Sequence, residues 1–158
     1  FNEIIVGDFT VSSFKILPEK YIKILSKDSL LFYAINKNKS NDVSYHLNNL
    51  TRKYVEYFNS KDVFKIKRIL SETALLDEVS RGKFEGRKKI LKMLAHLFEN
   101  NSEVELEIIN IEVSQRTQTT FLEFRLKISN FSFEGIDIIN WDNDLITRIK
   151  AYFFEIKG

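Results

Sequence analysis

Three titratable side chains stand on faces that their neighbours mark as apolar. In Phe131–Trp141 the odd positions are Phe133, Gly135, Asp137, Ile139 and Trp141, and alternation along a strand points all five the same way. A carboxyl among four apolar or small residues shifts its pKa, finds a partner or lines a cavity. The plain alternative is one solvent-facing acid, with Ile136 and Ile138 on the core side. In Thr73–Val79 the odd positions Thr73, Leu75, Asp77 and Val79 repeat the oddity at Asp77; here the alternative is an acid capping nearby backbone amides. Tyr54 shares a helical stripe with Leu47, Leu50 and Phe58, so its phenol points inward, or it is a core tyrosine with the hydroxyl at the protein edge.

Composition narrows what else the chain could do. Its 158 residues suffice for one domain with a real core and are too few for two full ones. With no cysteine, disulfides, thiolate chemistry and Cys-based zinc sites are excluded, and two histidines, His46 and His96, rule out a multi-His metal cluster. His96, beside Leu97 and near Met93, reads as a helix-surface histidine. No metal and no cofactor are expected. A net charge of +2 gives nucleic-acid binding no electrostatic support. The basic clusters Lys65–Arg68 and Arg87–Lys89 each span one helical turn and read as solvated faces. No apolar run approaches the ~20 residues of a membrane span, and no secretory signal is evident. A cytoplasmic protein is the default expectation; with Phe1 first, a whole protein and the ordered part of a longer one both stay open.

The elements that must position the three groups follow from periodicity. Residues 1–40 read as a β-rich arm and linker, with strands at Glu3–Val6, Phe9–Ile16, Tyr21–Leu25 and Leu30–Ile35 and a polar linker over Asn36–Asn41. Residues 41–158 read as the main domain. From Asp42 the period turns helical through Val43, Leu47, Leu50, Tyr54, Tyr57 and Phe58, a helix of about five turns. Asn59-Ser60-Lys61 breaks it. Asp62 caps a second short helix with Phe64, Ile66, Ile69 and Leu70. Thr73–Val79 is strand-like, and a loop with Gly82 and Gly86 leads to a third helix whose inner face is Ile90, Leu91, Leu94, Leu97 and Phe98. A β-meander completes the chain: Glu103–Ser114, Gln118–Ile128, Phe131–Trp141 and Leu145–Ile156. Within the first of these the apolar phase slips by one residue, from Val104, Leu106 and Ile108 to Ile109, Ile111 and Val113, which marks a bulge. Three helices followed by a curled antiparallel sheet make an α+β cone with a pocket between the layers.

Element order and residues together resemble the ketosteroid isomerase and SnoaL-like polyketide cyclase superfamily, the nuclear transport factor two-like fold, over about residues 44–156. The run from Lys53-Tyr54-Val55 to Asn59 and Asp62 is similar to the family's first helix. Ala74-Leu75-Leu76-Asp77, with Gly86 nine residues on, is similar to its Ala-x-x-x-Asp…Gly pattern, with one residue missing from the first interval and Glu78 where the isomerase has proline. Ile136-Asp137-Ile138-Ile139-Asn140-Trp141-Asp142, then Ile146 and Ala151-Tyr152-Phe153, is similar to the closing strands, one residue short in the final turn. The resemblance implies Asp77 as a general base, Tyr54 and a protonated Asp137 as donors to an enolate oxygen, and no cofactor. It implies a pocket lined by Phe58, Leu75, Phe133, Ile139, Trp141, Ile149 and Phe153, filled by a small apolar molecule. An isomerase and a cyclase are both open: in the latter an aspartic acid protonates a carbonyl during ring closure. The competing expectation is a non-catalytic ligand-binding or dimerisation module, in which Leu122, Phe124, Leu126 and Ile128, extended by Ile136 and Ile138, form the interface of a homodimer.

Overall fold

A computed structural model describes the backbone of residues 30–79 and 81–156, with side chains from residue 42 onward. The chain divides after Val43, and Ser44–Gly158 holds the sheet and the helices that cover it. The described elements are α1 (Leu30–Asn59), α2 (Val63–Ile69), β1 (Leu70–Glu78), β2 (Gly82–Glu85), α3 (Arg87–Asn100), β3 (Val104–Ser114), β4 (Thr119–Ile128), β5 (Phe131–Asp142) and β6 (Leu145–Glu155). The six strands form one sheet in the order β2-β1-β6-β5-β4-β3, and β1 runs parallel to β6 while every other pairing is antiparallel.

The helices end where their chemistry dictates. α1 stops at Asn59, and Asp62 caps α2 by accepting from Lys65 N at 2.9 Å. Leu47, Thr51, Tyr54, Val55 and Phe58 form the buried stripe of α1, and Ile90, Leu94 and Phe98 that of α3. Phe58 and Phe98 meet edge to face, with ring centroids 5.2 Å apart, a favoured aromatic geometry. Two expectations are corrected here. Leu30–Ile35 is helical rather than a strand, and the polar run Asn36–Asn41 continues that helix rather than linking. It contains neither glycine nor proline, and extending an existing helix avoids the cost of a new nucleus. The remaining strands expected in the arm, Glu3–Val6, Phe9–Ile16 and Tyr21–Leu25, lie outside the described residues. On α2, Phe64 is 81% exposed while Ile66 faces the core, and Leu70 belongs to β1.

The sheet carries the bends that the phase slip announced. Between Ile108 and Asn110 the register of β3 shifts against β4, leaving Ile109 outside the pairing and half exposed while Ile111 and Val113 return to the core. The β5–β6 hairpin closes through Asn143 and Asp144, both at positive φ (48° and 64°), as a two-residue primed turn demands. A strand the sequence pattern missed, β2, pairs antiparallel with β1, and Gly86 at φ 88° then opens α3.

Candidate active site

Cross-strand register determines which side chains meet. Asp137 on β5 lies opposite Ala151 on β6, and Ala151 lies beside Glu78 on β1. Asp137, Ala151 and Glu78 therefore form one transverse row on one face of the sheet. Two inter-strand steps put the outer Cα atoms roughly 10 Å apart, with only the small methyl of Ala151 between them. Asp137 and Glu78 are each 5% exposed and Tyr54 is 6% exposed, so all three are almost out of reach of water.

The groups act on one another electrically. Burial, reinforced by the negative charge of Glu78, pushes the Asp137 carboxyl from 3.8 up to about 7. Burial, and then the charge of Asp137, drives the Tyr54 phenol well above the ordinary tyrosine range. Desolvation disfavours the charged form of both groups, so the phenol keeps its proton and the carboxyl keeps its own up to about neutrality. Glu78 has a cation at hand: Arg81 Nε lies 2.7 Å from its Oε1.

Asp77 does not join them. It shares its face of β1 with Leu75, its carboxylate accepts from Arg148 Nη2 at 3.2 Å, and its side chain is 16% exposed. The expected face of Thr73, Leu75, Asp77 and Val79 is the outer one; Ala74, Leu76 and Glu78 look inward. The cause is the parallel pairing with β6, which aligns Leu76 with Ile149 and Glu78 with Ala151. The inward acid was within reach of the sequence, because counting Ala-x-x-x-acid from Ala74 lands on position 78 with nothing missing.

Of the residues expected to line a pocket, Phe58, Ile139, Trp141 and Ile149 are buried in the core, and Phe133 and Phe153 are half-buried with rings 5.7 Å apart, edge to face. Leu75 is on the far face with Asp77. His96, as expected, is an exposed residue of α3. The face proposed for dimerisation is also corrected: Leu122, Phe124 and Leu126 are buried, because they lie opposite Asp137, Gly135 and Phe133 on the inner face. The outer face instead holds Ile136 and Ile138, together with a hollow of about 380 Å³. Val79, Ile109, Glu123, Ile136, Tyr152 and Phe154 line it from five strands and their ends.

Comparison with known proteins agrees with this architecture. The family model for the SnoaL-like domain matches residues 51–149, and no curated protein matches by sequence. Bal32a, from a soil-derived mobile gene cassette, shares 13% identity over 71% of this chain and 92% of its own, with a TM-score of 0.65. A candidate ketosteroid isomerase of Kribbella flavida shares 14% over 73% and 82%, with a TM-score of 0.61. An LEH-like epoxide hydrolase of M. tuberculosis shares 15% over 70% and 84%, with a TM-score of 0.59. At such identities the likeness extends to the fold. Among the described residues no helix is long and apolar enough to cross a membrane.

Proposed function

The chain belongs to the SnoaL-like domain family, and on that premise we propose that it binds a small apolar carbonyl compound between α1 and the sheet and moves a proton next to that carbonyl. The observation that carries this reading is the buried row Glu78–Ala151–Asp137, with the Tyr54 phenol within electrostatic reach of Asp137 and the proton-bearing form of both favoured by burial. Glu78 takes the proton from the carbon next to the carbonyl, and the electron pair moves onto the carbonyl oxygen. Tyr54 and neutral Asp137 each donate a hydrogen bond to that oxygen. In a β,γ-unsaturated substrate the electron pair is shared through a dienolate, and Glu78 returns its proton to the γ-carbon, which moves the double bond into conjugation. In a cyclase the enolate carbon attacks a second carbonyl instead, and the new alkoxide takes the proton. Donors fixed in advance in a dry site are worth far more than in water, and losing one typically costs about 10²–10³ in rate.

Exchange of α-hydrogens for deuterium, followed by proton NMR over a panel of apolar cyclic ketones, tests the reading. Wild type is expected to accelerate exchange of at least one member, Glu78→Gln to abolish it, and Tyr54→Phe to lower it about 10²-fold or more. Background exchange throughout, or undiminished exchange in Glu78→Gln, removes the mechanism.

A second reading rests on the outer face. Val79 and Phe154 are each 64% exposed, Ile109 is 45% and Tyr152 is 37% exposed, and all four surround the 380 Å³ hollow. Exposed apolar surface of this kind marks an interaction site. A homodimer through this face is the corresponding function, and light scattering at increasing concentration tests it. Phe154→Glu is expected to leave a folded monomer, whereas a monomeric wild type at about 100 μM excludes it at ordinary affinities.

A further inference from the structure

Thr51 and Thr120 are both 0% exposed, and hydroxyls in so dry a place must find partners. Thr51 Oγ1 lies 2.9 Å from Leu47 O and 2.9 Å from Thr120 Oγ1, and Trp141 Nε1 lies 3.0 Å from Thr120 Oγ1. An indole N–H can only donate, a carbonyl can only accept, and a hydroxyl has one hydrogen to give. Trp141 therefore donates to Thr120 and Thr51 donates to Leu47 O, which leaves the Thr120 hydrogen for Thr51. The chain runs in one direction, from the indole to the helix carbonyl, with each hydroxyl both donating and accepting. Valine at either threonine would fill the same volume without the cost of burying a hydroxyl, so packing alone does not account for the pair.

The ends of this chain lie on the two elements that carry the oxygen donors. Thr51 precedes Tyr54 by about one turn of α1, and Trp141 shares the inner face of β5 with Asp137. A second tie lies beyond Tyr54. Asn59 Nδ2 donates to Leu106 O at 2.9 Å, and Asn59 Oδ1 accepts from Leu106 N at 2.8 Å. Tyr54 thus sits on a stretch of helix pinned to the sheet on both sides.

We propose that Thr51 and Thr120 are positioning residues, which with Trp141 form a hydrogen-bonded strut that sets the gap between α1 and β5 and holds the Tyr54 phenol against the Asp137 carboxyl. The inference rests on the proposed proton-transfer site, whose two oxygen donors it places. A strut of directional bonds fixes a distance more sharply than apolar contact does, because each bond weakens steeply once its angle falls. Glu78, the other acid acting on Asp137, belongs to β1 and lies outside the strut, so its influence is common to every variant below.

The test uses ligand-free protein carrying carboxyl-¹³C aspartate, with the Asp137 resonance followed by NMR as pH is raised. Thr51→Val preserves shape and cuts the strut. Its Asp137 midpoint is expected to fall by about one unit, as water gains access to the loosened gap. Thr51→Ser keeps the hydroxyl and is expected to restore the wild-type midpoint. Thr51→Val combined with Thr120→Val is expected to match Thr51→Val alone, because the strut is already cut. An unchanged midpoint in Thr51→Val overturns the proposal even if the melting temperature drops. Should Thr51→Val fail to fold, Thr120→Val, which also preserves shape and cuts the strut, is judged by the same midpoint. Because the readout needs no substrate, a wild type that exchanges no ketone hydrogens removes the reaction and leaves this result standing.

Discussion

Replacing Asp137 by asparagine should stabilise the protein, and by an amount that depends on pH in a defined sense. The folded chain holds the carboxyl at about 7, against 3.8 for the free group. The folded state therefore binds a proton that the unfolded chain releases between those values. Below about pH 3 both states carry the proton and the carboxyl contributes no penalty. As pH rises to 7 the unfolded chain gains the favourable ionised form first, and stability falls throughout that interval. At about 1.4 kcal/mol per pKa unit, the span from 3.8 to about 7 amounts to roughly 4 kcal/mol, a large part of a typical folding free energy of about 5–15 kcal/mol. Asparagine has nearly the same shape and no charge to suppress. Urea denaturation of both proteins at intervals from pH 4 to 8 measures the difference, and most other carboxylates cancel in it. The variant should match wild type within about 1 kcal/mol at pH 4 and exceed it by several kcal/mol at pH 8. A difference that stays constant across the range would refute the claim that a dry, protonated carboxyl occupies this position.

Asp77→Asn should leave ketone hydrogen exchange within about twofold of wild type, because its ion pair with Arg148 lies on the outer face and partly exposed pairs contribute about 0–1 kcal/mol; loss of exchange in this variant would return Asp77 to the mechanism. Gly135→Ala should cost more than about 2 kcal/mol in urea denaturation, since a Cβ there would collide with Tyr152 O and come within 2.6 Å of Phe153 Cβ and 2.9 Å of Phe124 Cζ. Asn59→Ala should lose about 1–3 kcal/mol, because both amide atoms pair with the Leu106 backbone, and amide hydrogen exchange at Leu106 N should quicken in the same variant.

Much of the architecture could be read along the chain. The stripe from Leu47 to Phe58, the cap at Asp62, the inner face of the third helix and the slip after Ile108 are all local patterns, and each recurs in the structure. Asp137 and Tyr54 could be picked out because each is the polar member of an otherwise apolar face, although only the structure shows that the face of Asp137 is the inner one. Asp77 was misplaced because the Leu75–Leu76 doublet fits either phase of a strand, and only a neighbour can choose between them. The face of Leu122 and Phe124 was misjudged similarly. β5 carries Ile136 and Ile138 on one side and Ile139 and Trp141 on the other, so its apolar pattern does not say which side the helices cover. The short strand β2 lies in a glycine-flanked stretch too brief to show a period.

By itself, then, the order of residues determined the helices from Asp42 onward, the meander and its bulge, and marked Asp137 and Tyr54 as polar groups on apolar faces. Tertiary structure decided that Glu78 rather than Asp77 completes the row. Strand side chains alternate with a period of two, so a shift of one residue reverses every one of them. The parallel pairing of β1 with β6, brought together from distant parts of the chain, sets that phase.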